Sequence, residues 1–127
     1  MARILVIDDH EHIRHIIQAL LTNEGHTVDI AEDGKVGLKM AGEADYQLVI
    51  TDIMMPNHDG LEVVTKLKRS VPGIGLIVIT GGGPTVDLTD LTETAKILGA
   101  DHVLTKVLDF ELLREVTHEV LTTYGYR

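Results

Sequence analysis

Ile4-Leu5-Val6-Ile7-Asp8-Asp9 runs four consecutive apolar residues into two carboxylates, and the fold turns on this hexapeptide. A strand that is apolar at every position, rather than at alternate ones, belongs in a sheet covered by helices on both faces. Similar runs recur at Thr27–Ala31, Gln47–Thr51, Leu76–Thr80 and His102–Thr105, and four of the five are nearly continuous. Between them lie residues at helical spacing: Ile13, Ile16, Ile17, Leu20 and Leu21, then Val36 to Ala44, Leu61 to Leu67, Leu91 to Leu98, and Phe110, Leu113, Val116 and Val120. Turn residues mark the joints at Glu24-Gly25, Glu32-Asp33-Gly34, Pro56 to Gly60, Pro72-Gly73 and Leu98-Gly99. The order is a βα unit repeated five times. Right-handed units of this length pack as an open, doubly wound α/β sheet, whose ligands bind beyond the carboxyl ends of the strands.

Length and composition narrow the function. The chain has 127 residues, enough for one core, so a single domain over 1–127 is expected. Twenty acids against eleven bases give a formal charge of −9, which opposes binding to phosphate backbones, so no direct nucleic-acid contact is expected. The apolar runs are far shorter than the ~20 residues of a membrane span, and no leader-like segment precedes them, so a cytoplasmic protein without membrane insertion is expected. With no cysteine, disulfides, thiolate metal sites and a cysteine nucleophile are excluded.

The strand ends carry the chemistry. Asp8 and Asp9 follow the first strand, Asp52 the third, Thr80 the fourth and Lys106 the fifth, so all converge on one edge of the sheet. Three carboxylates held together repel one another unless a cation, a shared proton or an ammonium compensates. Oxygen-only ligands favour Mg²⁺ or Mn²⁺ over zinc, and a magnesium ion held by few carboxylates keeps positions open for phosphate oxygens. Lys106 and the Thr80 hydroxyl are placed to meet the remaining phosphoryl oxygens. The set points to phosphoryl transfer.

With Ile4-Leu-Val-Ile-Asp-Asp9, Asp52-Ile-Met-Met-Pro56, Asp59-Gly60-Leu-Glu62, Thr80 and Gly99-Ala-Asp101 followed by Lys106, the chain resembles the receiver domain of bacterial two-component response regulators. The resemblance implies a flavodoxin-like sheet of five parallel strands in the order 2-1-3-4-5 with five helices. It further implies that Asp52 is the phosphoacceptor for a phosphohistidine of a sensor histidine kinase or histidine phosphotransfer protein. Asp9 would then ligate Mg²⁺ directly, Asp8 largely through water, and Met54 through its backbone carbonyl, with Lys106 and Thr80 holding phosphoryl oxygens. Such a protein catalyses only its own phosphorylation and dephosphorylation. The expected role is a stand-alone regulator acting through protein contact.

Each residue also has a plainer reading. Asp8-Asp9 could cap the first helix, Asp52 could form an Asx-turn, and Lys106 could be a solvated surface lysine. His10, His12 and His15 crowd the start of the first helix, where histidines at i and i+3 could bind a transition metal, but without cysteine and beside an acid pair suited to a hard cation they read rather as a solvated face. Gly81-Gly82-Gly83-Pro84 reads as a loop lacking the order of a phosphate loop. Departures from the receiver pattern leave a phosphorylation-independent interaction module as one alternative. A haloacid-dehalogenase-like phosphatase is a weaker one, since Asp8-Asp9-His10 is not Asp-x-Asp. Where the family generally has Lys-Pro this chain has Lys106-Val107. A non-proline cis bond costs ~3 kcal/mol, so the bond is expected to be trans. Val103 stands at the usual aromatic position, three before the lysine, and an insertion of roughly four residues falls in Gly81–Thr92. Three glycines there predict that phosphorylation reorders this segment.

Overall fold

Five parallel strands form one sheet in the order β2-β1-β3-β4-β5: β1 (Arg3–Ile7), β2 (Thr27–Ala31), β3 (Leu48–Asp52), β4 (Gly75–Thr80) and β5 (His102–Thr105). The computed structural model describes residues 1–53, 60–81, 93 and 95–125. The expected strand order therefore holds. In β1 the register pairs Ile4 with Val28 on one side and Leu48 on the other, so β1 and β3 are neighbours in the interior of the sheet.

The helices are α1 (Glu11–Asn23), α2 (Gly34–Glu43), α3 (Gly60–Ser70), α4, described at residues 93 and 95–97, and α5 (Phe110–Thr123). Alternation along each strand sends its residues to opposite faces. Ile4 and Val6 pack with Ile17 and Leu21 of α1 and with Leu113 and Val120 of α5. Leu5 and Ile7 pack on the other side with Val63, Val64 and Leu67 of α3 and Ala95 of α4. Both layers are apolar apart from a few buried hydroxyls such as those of Thr51 and Thr117, which is why the central strands carry no regular polar alternation. No helix among the described residues is long and apolar enough to cross a membrane.

Local chemistry sets the helix starts. Asp33 caps α2 by accepting from the Val36 N–H at 2.9 Å, and Asp109 caps α5 by accepting from Leu112 N–H at 3.0 Å. The N-cap of α1 is His10, with no side-chain cap bond, so Asp8-Asp9 is not a capping pair. Gly37 of α2 lies so close to β1 that a Cβ there would run into the Ile7 side chain.

One expectation is corrected. The Lys106–Val107 peptide bond is cis. The trans expectation weighed the intrinsic preference of the bond alone, whereas Lys106 is anchored by distant partners: its N–H donates to the Thr80 carbonyl at 2.8 Å and its side chain to Asp52. Val103 is partly buried against the α3 side of the core. The expected rearrangement of Gly81–Thr92 falls, beyond Gly81, outside the described residues, as does Met54.

Candidate functional site

Asp8 is the first residue beyond β1 and Asp52 the last of β3. Adjacent strands run about 4.8 Å apart, so the sheet itself sets these two carboxylates side by side. Both are buried, at 0% and 1% exposure. The main chain of Asp8 is held twice: its N–H donates to the Ala31 carbonyl at 3.2 Å, and its carbonyl accepts from Arg14 Nη1 at 2.8 Å. Asp8 Oδ1 accepts from the His10 N–H at 2.8 Å, which folds the β1–α1 turn around the acid. Asp9 sits next to it and is partly exposed.

Lys106 reaches this pair from the edge strand. Its Nζ donates to Asp52 Oδ2 at 2.6 Å and lies 3.5 Å from Asp8 Oδ2. The stem passes over Gly81, where an added Cβ would come within 3.1 Å of Lys106 Cδ. Burial pulls the ammonium toward neutrality, but the hydrogen bond and charge of Asp52, with Asp8 behind it, outweigh that and hold it above its ordinary value. Lys106 is therefore a fixed cation of the site and not a solvated surface lysine.

Among the described residues one ammonium faces three carboxylates, which leaves negative charge in excess. Asp8 Oδ2, Asp9 Oδ1 and Thr80 Oγ1 are buried and make no hydrogen bond among the described residues. Buried polar atoms are nearly always satisfied, so three orphans at one strand-end edge mark a place for something else. One ligand atom from each of Asp8, Asp9, His10 and Asp52 lies within 4.8 Å of the others. Hard carboxylate oxygens without donors fit a hard divalent cation such as Mg²⁺. The separate groove of about 440 Å³ lined by Leu38, Tyr46, Leu67 and Ile74 sits at the opposite, amino-terminal end of the strands and has no part in this arrangement.

The structure thus brings together Asp8, Asp9, Asp52 and Lys106, and places Thr80 beside them through the bond between its carbonyl and the Lys106 N–H. Sequence reading assigned His10 to a solvated face, whereas the structure sets it against the acid pair. Its Nδ1 lies 3.2 Å from Asp8 Oδ1, 3.2 Å from Asp9 Oδ1 and 3.3 Å from Lys106 Nζ, while His12 and His15 are exposed on α1 as expected. The signal available was its position directly after the acid pair.

The chain is similar to known proteins over most of its length. The response regulator receiver domain matches residues 4–118. The response regulator ArlR of Staphylococcus epidermidis is 36% identical over 113 residues, covering 89% of this chain and 49% of ArlR. The chain spans about half the length of the curated relatives it matches. Among solved structures, a CheY-like receiver domain protein from Methanospirillum hungatei superposes with TM-score 0.90 at 28% identity, covering 98% of this chain and 96% of that one. The response regulator TrrA of Thermotoga maritima, solved in complex with Mg²⁺ and BeF, gives 0.82 at 32% identity, covering 95% and 100%.

Proposed function

The chain belongs to the response regulator receiver domain family, and on that premise we propose that Asp52 accepts a phosphoryl group from a phosphohistidine with the help of a divalent cation. A carboxylate oxygen of Asp52 forms a bond to phosphorus, the P–N bond of the donor breaks, and its electron pair returns to the donor imidazole, which takes up a proton. The observation that carries this reading is the Asp52–Lys106 contact facing Asp8 and Asp9 in a buried, strand-end site.

The residues divide the work by charge. Asp8, Asp9 and Asp52 would hold Mg²⁺ or Mn²⁺, with the Met54 carbonyl proposed as a further ligand. Such an ion, when bound, neutralises charge on the phosphoryl oxygens. Lys106 is already within reach of Asp52 and meets a phosphoryl oxygen with little movement. The Thr80 hydroxyl, buried and without a hydrogen bond among the described residues, has a donor to give to another. Phosphoryl transfer asks a protein mainly for positioning and charge compensation, and these groups supply both. That the similar response regulator TrrA was solved in complex with Mg²⁺ and BeF supports this reading.

The donor we propose is a sensor histidine kinase or histidine phosphotransfer protein, and the output a contact with another protein that distinguishes the two phosphorylation states. Beryllofluoride with Mg²⁺ tests the reading in solution. Amide resonances of Asp52, Thr80 and Lys106 should shift together at saturation. If they stayed in place, the chain would instead be a phosphorylation-independent interaction module.

A further inference from the structure

His10 adds a donor of a different kind to the carboxylate cluster. Its N–H is tied to Asp8 Oδ1 at 2.8 Å, which fixes the main chain that carries the imidazole. The ring then lies with Nδ1 at 3.2 Å from an oxygen of each member of the acid pair. Asp8 is 1% exposed at its side chain, and its Oδ2 makes no hydrogen bond among the described residues, with Lys106 Nζ 3.5 Å away. The imidazole is 61% exposed, so an ion can meet it without opening the core. Nδ1 faces the cluster and lies 3.3 Å from the Lys106 ammonium; a neutral ring with its proton on Nε2 offers the Nδ1 lone pair to an ion there.

We propose that His10 is a nitrogen ligand of the divalent cation held by Asp8, Asp9 and Asp52, and that it biases the site from Mg²⁺ toward first-row transition ions such as Mn²⁺ and, more strongly, Co²⁺. The inference rests on the metal reading above and narrows it. Mg²⁺ prefers oxygen and keeps its waters, so an imidazole adds little to its binding. Affinity for nitrogen rises from Mn²⁺ through Co²⁺, so the same imidazole strengthens their binding. A site with His10 and one without it therefore differ in selectivity more than in Mg²⁺ affinity.

The test uses the whole chain and two variants, His10→Ala and His10→Gln. With Mn²⁺ alone, electron spin-echo modulation should show nitrogen coupling in the wild type and none in either variant. Calorimetric titration with Co²⁺ alone should show affinity falling about tenfold or more in the variants, since even residues that only support a ligand cost that much, while Mg²⁺ affinity stays unchanged. Equal losses for Co²⁺ and Mg²⁺ would mean that His10 only positions the acids, and would overturn the proposal. So would binding of Mn²⁺ with no nitrogen coupling. Failure of every ion to bind the wild type would remove the metal reading as well.

Discussion

Lys106 Nζ stands 2.6 Å from Asp52 Oδ2, joining residues 54 positions apart across the edge of the sheet. A single ammonium thereby answers two buried carboxylates, because Asp8 Oδ2 is 3.5 Å from the same nitrogen. Replacing Lys106 with Met keeps the stem and removes the charge. We predict a loss of about 1–3 kcal/mol in urea unfolding at neutral pH, the usual penalty for stranding buried polar groups. Adding Asp8→Asn should recover part of that loss, since it lifts the remaining like-charge repulsion. The folded-state value of Lys106 is raised above its ordinary 10.5. Its stabilisation is thus complete below about pH 10.5 and fades as pH climbs through the raised value, so wild type and Lys106→Met should converge only in strong alkali. Equal stability of the two at neutral pH would refute the pairing.

Gly37 offers a test of packing next to the site. Alanine is normally the better helix former by about 1 kcal/mol, so Gly37→Ala should stabilise α2 if space allowed. Here the new methyl would meet Ile7, the residue before Asp8. We expect a net loss of about 1–3 kcal/mol, the range for overpacking. A gain in thermal midpoint would show that α2 does not ride on β1 as described.

Much of this was legible in the sequence, for a physical reason. Strands buried on both faces must be apolar throughout, so Ile4–Ile7 and Leu76–Thr80 declared both themselves and the strand ends that follow. Asp52 and Lys106 were visible because they sit at those ends. His10 was not, since its partner Lys106 is 96 residues away and a histidine among three near a helix start looks like a solvated face. The cis bond after Lys106 was hidden likewise, local preference having no knowledge of distant anchors. Neither could Tyr124 be paired with Asp101 and Lys68, contacts at 3.0 and 3.4 Å that join the end of α5 to the turn before β5 and to α3.

Tyr46 reports on the opposite end of the sheet. Burial, together with its hydrogen bond to Asp29 at 2.7 Å, pushes the phenol up to about 12. A folded value above the ordinary 10 means that the Tyr46 contribution is complete below pH 10 and is lost as pH rises through about 12. Phenolate absorbance should therefore show a late-titrating tyrosine in the wild type that is missing from Tyr46→Phe. That variant should also lose about 0.5–1.5 kcal/mol at neutral pH, one hydrogen bond's worth. A titration curve unchanged by the substitution would contradict the assignment.

Asp9 separates metal binding from folding. It is the acid-pair member with a partly exposed side chain, so Asp9→Ala should fold. Mg²⁺ should raise the thermal midpoint of the wild type by mass action, while in Asp9→Ala the midpoint should no longer respond. The metal-free variant should be as stable as the wild type or more so, because a like charge has gone. A full Mg²⁺ response in the variant would remove Asp9 from the ligand set.

The central claim is that Asp52 is the residue that takes the phosphoryl group, and intact-protein mass spectrometry after incubation with acetyl phosphate and Mg²⁺ tests it most directly. The wild type should gain one phosphoryl mass, lost again on treatment that cleaves acyl phosphates, and Asp52→Asn should gain none. A phosphoryl mass on Asp52→Asn equal to that on the wild type would contradict the account.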